Sequence, residues 1–335
     1  MKVFEIQQFG LETLIQTERP EPELKNDQIL IKTSAVSLNF RDLMTVMGVY
    51  NPKQKLPLIP LSDGVGQVVA VGQDVKRVKV GDRVATIFAQ KWLAGEPART
   101  RLGSTLGGPH DGTLAEYIAL HEDGVVIVPS HLTDEEAATL PCAGVTAWNA
   151  IISHGRLKAG DTILLQGTGG VSIFALQFAK LVGARVIITS SSDEKLARAR
   201  SLGADETINY KNNPDWDKQV RDLTDGNGVD HVVDVGGANT FDKALKCVRF
   251  AGQISVIGVL SGPNPKLNLV PILMQNLRIQ GIIVGSRTTF EDMNRAIDFH
   301  KMKPIIDKVF SFDQTKEAFE MMSSGAHFGK ICIKF

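Results

Sequence analysis

The sequence predicts a two-domain α/β protein, with a β-barrel-like unit joined to a doubly wound parallel sheet. Three observations predict it. The 335 residues exceed what a single hydrophobic core normally organises. Up to about residue 124 the apolar pattern is strand-like, and beyond it strand and helix patterns alternate. In mid-chain, Thr162-Ile-Leu-Leu-Gln-Gly-Thr-Gly-Gly-Val-Ser-Ile-Phe-Ala-Leu-Gln-Phe-Ala-Lys180, followed by Ala184-Arg-Val-Ile-Ile-Thr-Ser-Ser-Ser192, reads as strand, glycine turn, buried helix and second strand.

Taken in order, Ile29, Ile31, Thr33 and Ala35 alternate with Leu30, Lys32, Ser34 and Val36, the period of a half-buried strand. Val65 to Val71 forms another β-rich run before the Gly81-Asp82 turn. Gln90 to Gly112 is rich in Gly, Arg and Thr with little periodicity, and reads equally as a cover over a site or as a mobile loop. Thr133-Asp-Glu-Glu136 has capping-box spacing, so a helix begins there and runs through an Ala-rich stretch disturbed near Pro141. Strand patterns over 207–209, 229–235 and 253–259 alternate with helical ones near 215–223 and 241–248, which predicts a parallel sheet covered on both faces. The apolar run Ile279 to Val284 extends that sheet, and its edge is suited to pairing with a second subunit, so a homodimer is expected. The tail from Phe290 reads as helix, strand, helix and a last strand returning to the first domain. The expected domains are therefore 1–124 with 289–335, and 125–288.

Composition narrows the function. The 37 basic and 37 acidic residues balance without any block of like charge, which argues against a nucleic-acid or membrane surface and for a small, weakly charged substrate. The opening segment lacks a leader's apolar core and no run approaches a membrane span, so a cytoplasmic location is expected. Cys142, Cys247 and Cys332 are odd in number and scattered, unlike a disulfide framework. The seven histidines are dispersed, with none at zinc-ligand spacing.

The glycine turn carries the chemistry. Gly167 permits a tight turn, Gly169 lets the backbone approach a pyrophosphate, and the helix that follows offers free N–H groups and a positive dipole end to it. Thr168, Gly170 and Val171 complete this cofactor cradle. The full G-x-G-x-x-G pattern has glycine where this chain has Ser172, a small replacement. An acidic residue closing the second strand would select a free ribose hydroxyl, but Ser190, Ser191 and Ser192 stand there, with Lys195 one turn later. Hydroxyls, a helix start and a lysine suit a 2′-phosphate, so NADPH is expected, with NADH as the alternative. The plainer reading is that the serines only cap the helix and Lys195 points into solvent; Asp193 favours it.

Asn39-Phe-Arg-Asp-Leu43, Leu58-Ile-Pro-Leu-Ser-Asp-Gly-Val-Gly66, Val80-Gly-Asp-Arg-Val84, Cys142-Ala-Gly-Val-Thr146 and the glycine turn together resemble the medium-chain dehydrogenase/reductase superfamily over nearly the whole chain. The resemblance implies a GroES-like barrel, here the catalytic domain, and a Rossmann dinucleotide-binding domain. In the superfamily's zinc alcohol dehydrogenases a cysteine matches Asn39 and a histidine matches Ser62, and only Cys142 keeps a ligand type. No metal is therefore expected, because a catalytic zinc normally takes three sulfur, imidazole or carboxylate ligands. The four-cysteine structural lobe of those relatives is also missing from 90–112. Asn39-Phe-Arg-Asp42 followed by Gly48-Val-Tyr50 resembles the zinc-free quinone oxidoreductases, which implies NADPH-dependent reduction of a quinone or α,β-unsaturated carbonyl.

On that reading Asn39 is a polar contact near substrate or nicotinamide, Tyr50 a pocket hydroxyl and Ser62 a hydrogen-bond donor in the vacated metal site. Bracing a turn, covering the barrel and filling space are their alternatives. Arg41 and Asp63 either pair across the gap or stand as surface charges. By resemblance, Thr146 approaches the nicotinamide, Tyr210 flanks the adenosine phosphate, Gly236 and Val259 lie at strand ends, and Lys330 reaches the phosphates. Two other functions share this scaffold: an NAD(P)-dependent alcohol dehydrogenase, separated by metal analysis, and a non-catalytic NADPH-binding protein, separated by turnover.

Overall fold

The strand expected over 29–36 spans Gln28–Ser37 and runs through the larger of two units formed by the described residues, 1–262 and 268–335 of this computed structural model. That unit comprises Met1–Val145 and Gly285–Phe335. Its strands are β1 (Lys2–Ile6), β2 (Leu14–Glu18), β3 (Gln28–Ser37), β4 (Asp63–Val71), β5 (Arg83–Thr86), β6 (Tyr117–His121) and β7 (Val125–Ile127), with helices α1 (Phe40–Val46), α2 (Arg99–Leu102) and α3 (Asp134–Ala138). Alternation on β3 buries Ile29 and Ile31 against Val68, Val84 and Ile118, while Leu30, Lys32 and Ser34 face outward. The capping box forms as expected: Thr133 Oγ1 accepts from Glu136 N at 3.2 Å and Glu136 Oε2 accepts from Thr133 N at 2.9 Å. Past α3 the chain winds in wide turns over Leu140–Gly144, with Pro141 near their start, into the short helix α4 (Val145–Trp148).

Thr146–Val284 is the second unit. Here β8 (Thr162–Gln166), α5 (Gly170–Leu181), β9 (Arg185–Ser190), α6 (Asp193–Ser201), β10 (Glu206–Asn209), α7 (Trp216–Asp222), β11 (Val229–Asp234), α8 (Phe241–Cys247), β12 (Val248–Val256), α9 (Val270–Met274) and β13 (Arg278–Gly281) follow one another. The strands form one sheet in the order β10-β9-β8-β11-β12-β13, every pairing parallel. Buried on both faces, β8 and β9 read as continuous apolar runs. Strand order reverses at β8, so the crevice beyond the ends of β8 and β11 is where such a sheet binds ligands.

The last segment returns to the first unit as α10 (Arg287–His300), β14 (Ile306–Ser311), α11 (Thr315–Ser324) and β15 (Lys330–Lys334). β15 lies between β14, to which it runs parallel, and β3, to which it runs antiparallel.

Three expectations are corrected. The units divide at 145/146 and 284/285 rather than 124/125 and 288/289, because β7 pairs with β5, α3 packs on β3 and β4, and the α10 N-cap is Ser286. The strand expected over 253–259 ends at Val256: Ile257 N makes the last ladder bond, to the Asp234 carbonyl at 2.9 Å, and Gly258 N turns to that same oxygen at 3.4 Å. The strand expected over 279–284 is β13, ending at Gly281.

The 90–112 segment is built into the first unit. Its Trp92 and Leu93 carbonyls accept from Arg287 N and Thr288 N, and Gly112 N donates to Ile59 O at 2.7 Å. A Cβ on Gly112 would lie 2.0 Å from the Leu61 carbonyl oxygen and 2.3 Å from that of Pro60, in the turn that leads to Ser62. Because backbone cannot yield cheaply, Gly112→Ala is expected to lower stability by about 2–3 kcal/mol in urea unfolding.

Candidate active site

The chain brings two groups of chemistry-bearing residues together, one in each unit. In the Thr146–Val284 unit, Gly167 takes φ 73°, a left-handed conformation that favours glycine, and Gly169 is the N-cap of α5. A Cβ added at Gly167 or Gly169 meets nothing within 4 Å, so these positions are bare for access from outside and not for internal packing. Thr168, Gly170 and Val171 complete the turn and open the twelve-residue helix α5, whose first N–H groups have no intrahelical partner. Ser172, where the motif has glycine, is buried and its hydroxyl donates to the Gln166 carbonyl at 2.7 Å, bracing the turn.

Asp234, a residue the sequence reading passed over, closes β11 next to β8. Its Oδ1 accepts from Gly236 N at 2.9 Å, Gly237 N at 3.0 Å and Thr240 Oγ1 at 2.9 Å, fixing the turn that carries Gly236. Burial pushes its carboxyl up, against those bonds and the neighbouring Gln166 amide. Asp234 Oδ2 and both polar atoms of Gln166 remain buried without a well-formed partner. Orphan polar atoms beside a bare glycine turn, at the strand-order reversal, fit a dinucleotide pyrophosphate and its flanking groups. Val259 is half exposed beside Gly237, and Thr146 is buried in α4.

At the end of β9, Ser192 caps α6, its Oγ accepting from Lys195 N at 3.3 Å, and Ser190 Oγ accepts from Ser192 N at 3.4 Å. Ser191 lies between them. Tyr210 is brought alongside by Tyr210 N donating to the Ser190 carbonyl at 3.1 Å. The Asp193 carboxylate is engaged by Asn209 at 2.7 Å and Asn212 at 3.5 Å.

In the other unit β3, α1, β4, the turn at Cys142 and β15 converge on a buried polar centre. Asn39 caps α1, its N–H donating to Asp42 Oδ2 at 2.8 Å. Lys330, 3 % exposed, donates from Nζ to the Leu38 carbonyl at 2.6 Å and to Asn39 Oδ1 at 2.5 Å. Its ammonium is therefore spent within this unit, on Leu38 and Asn39, where resemblance implied a phosphate contact. Ser62 Oγ donates to Asp63 Oδ1 at 2.6 Å, and Cys142 N donates to Asp63 Oδ2 at 3.2 Å. Ser62 is wholly buried, and its one hydroxyl proton is committed to Asp63.

Arg41 is neither on the surface nor paired with Asp63. It is buried, 3.3 Å from Asp42 Oδ1, and it donates to the carbonyls of Leu106 at 2.8 Å and Gly108 at 3.2 Å. Its guanidinium lies 5.1 Å from the ring centroids of both Tyr50 and Phe88. Tyr50 is 52 % exposed and lies over Arg41.

Burial raises the Asp63 carboxyl above its ordinary value, opposed first by the Lys330 charge and then by Asn39, Ser62 and Cys142. Burial likewise lifts Asp42 from 3.8 to about 6, against Arg41. The Cys142 thiol is pushed up by burial and by Asp63. The donors at the positions matching zinc ligands are an amide, a hydroxyl and one thiol. They do not fit a zinc site, and no group of three His, Cys, Asp or Glu suited to an ion occurs among the described residues.

Comparison with known proteins shows the family to which the two units belong. Residues 25–130 match the family described as alcohol dehydrogenase GroES-like domain, and 170–300 match that described as zinc-binding dehydrogenase. A zinc-type alcohol dehydrogenase-like protein of Schizosaccharomyces pombe is 43 % identical over 332 residues, covering 97 % of this chain and 96 % of its own. The acryloyl-coenzyme A reductase of Sulfurisphaera tokodaii is 30 % identical over 325 residues, with 95 % of each chain covered. The solved structure of an NAD-dependent alcohol dehydrogenase superposes with a TM-score of 0.92 at 34 % identity, with 100 % of each chain covered.

Two outcomes follow from the geometry. Gly169→Ala adds a methyl in open space at an ordinary φ of −78°, so stability should change by less than about 0.5 kcal/mol. Fluorescence titration should nevertheless show cofactor affinity at least about tenfold weaker, because the pyrophosphate loses its close approach. For Asp42, the folded pKa lies above the unfolded one, so the folded state holds the extra proton and stability falls as pH rises from about 4 to 6. The fall is on the order of 2–3 kcal/mol, and Asp42→Asn should remove that part of the slope in denaturant unfolding across this window.

Proposed function

The chain belongs to the medium-chain dehydrogenase/reductase superfamily, and from that premise we propose that it is an NADPH-dependent reductase of α,β-unsaturated carbonyls or quinones that works without a metal. The observation that carries this reading is the donor set of the buried centre. Asn39 and Ser62 stand where zinc-holding relatives place sulfur and imidazole, leaving Cys142 the one such donor, so the centre is not built to hold the Lewis acid that steadies an ordinary alkoxide. Conjugated acceptors need less. Charge that develops as hydride adds to an enone or quinone spreads over the conjugated system, and a hydrogen bond with a proton from water completes the reduction. Similarity to the acryloyl-coenzyme A reductase of Sulfurisphaera tokodaii supports the acceptor class, because an acryloyl group is an α,β-unsaturated acyl group.

NADPH, when bound, supplies the hydride. Gly167, Thr168, Gly169, Gly170 and Val171 would hold its pyrophosphate at the α5 N-terminus, with the Asp234 turn and Gly236 beside them. Ser190, Ser191, Ser192 and Tyr210 would surround the 2′-phosphate, with Lys195 adding charge. The two asparagines already engage Asp193, which lessens its repulsion of that phosphate.

The test is an NADPH-oxidation screen with enones, quinones and aldehydes, alongside alcohols with NADP⁺, on protein assayed for zinc. Enone or quinone turnover that survives a chelator is expected. Alcohol turnover that a chelator abolishes would overturn the reading.

We also read the free edge of β13 as the seat of a second copy of this chain. A few residues ahead of it α9 exposes Leu273 at 79 % and Met274 at 67 %, and among the described residues β13 pairs only with β12. Light scattering should give a dimer, and Leu273→Glu should shift it toward monomer.

A further inference from the structure

Asn39 has one feature that its place as a helix cap does not explain. Its carboxamide could sit either way round, exchanging oxygen for nitrogen, yet the neighbour decides the matter. Lys330 carries donors only, so the group that meets its Nζ at 2.5 Å must be the oxygen. The Asn39 amide nitrogen is thereby turned away from the lysine toward Asp63, whose charge it favours. There it is buried without a well-formed hydrogen bond. The Asp63 oxygens already accept from Ser62 and Cys142. With two N–H bonds on that nitrogen, one is uncommitted even when Asp63 takes the other.

A buried donor left without a partner weakens the fold, and proteins retain one where a ligand supplies the acceptor. We propose that Lys330 is a positioning residue, holding the Asn39 carboxamide oxygen-inward so that its amide N–H is presented to the oxygen of the reducible acceptor. The proposal rests on the reductase reading. In it the acceptor oxygen gains negative charge as hydride arrives at carbon, the Asn39 N–H donates to that oxygen, and the proton that completes reduction comes from water. Lys330 touches neither reactant. Its second bond, to the Leu38 carbonyl, ties it to the residue just before Asn39 and fixes the chain that carries the amide.

The experiment uses full-length protein labelled with ¹⁵N at asparagine side chains. The amide pair missing from Asn39→Asp identifies Asn39. Replacing Lys330 by Met alone strands the Asp63 charge in the interior, so the double variant K330M/D63N removes both charges together, and K330R keeps the cation. The Asn39 signals should move or collapse in K330M/D63N and persist in K330R. Unchanged signals in K330M/D63N would overturn the proposal without any activity being measured. With NADPH and cyclohexenone, K330M/D63N should lower kcat about 100-fold. KM and the NADPH dissociation constant should change less than about threefold, since the loss falls on the transition state. Asn39→Asp should lose as much, and adding K330M/D63N to it should lose no more; multiplying losses would show that Lys330 acts apart from Asn39 and overturn the proposal. If no acceptor accelerates NADPH oxidation in the unaltered protein, the reductase reading fails and the acceptor's place here falls with it. The amide signals still decide whether Lys330 sets Asn39.

Discussion

The first unit is organised around a cation that cannot leave. Lys330 has little access to water, and an isolated buried ion would cost several kcal/mol. It persists because the Leu38 carbonyl and the Asn39 amide receive its protons while Asp63 answers its charge. Arg41 and Asp42 add a second pair of opposite charges under the same helix. Each of these groups depends on another for a hydrogen bond or an opposite charge, so the local fold and the local chemistry stand or fall together.

The second unit follows a different logic. Its parts are defined by what is left open: bare glycines, unpaired N–H groups at a helix start and orphan polar atoms at the ends of β8 and β11. A dense network would be useless there. Binding a dinucleotide calls for unspent hydrogen-bonding capacity held in fixed positions, and Ser172 and Asp234 supply the fixing through bonds to the turns on either side.

Much of this was legible in the sequence because it depends on neighbours along the chain. The glycine turn, the capping box at Thr133 and the alternation on β3 each obey a period or spacing a few residues long, and each stands where it was expected. Strand ends were less legible. Ile257 to Val259 read as a continuation of β12, but Gly258 N turns back to the Asp234 carbonyl that already ends the ladder, and the pairing stops there. Least legible was the polar centre, since Lys330 and Asn39 are 291 residues apart and nothing local announces their contact. Two hints were present. A lysine opens the apolar strand Lys330–Lys334, and an acid closes the β11 run just ahead of Gly236 and Gly237. Resemblance misdirected Lys330 toward phosphate because it transfers a residue's identity without its side chain's direction.

The strand that delivers Lys330 is slotted between β14 and β3. It can bring the lysine to the Leu38 carbonyl only once its own antiparallel register with β3 is set, Cys332 opposite Ser37. That pairing joins segments from opposite ends of the given sequence, so closing it costs more loop entropy than the neighbour-to-neighbour parallel pairings of the other unit. The barrel half is thus the slower of the two to lock.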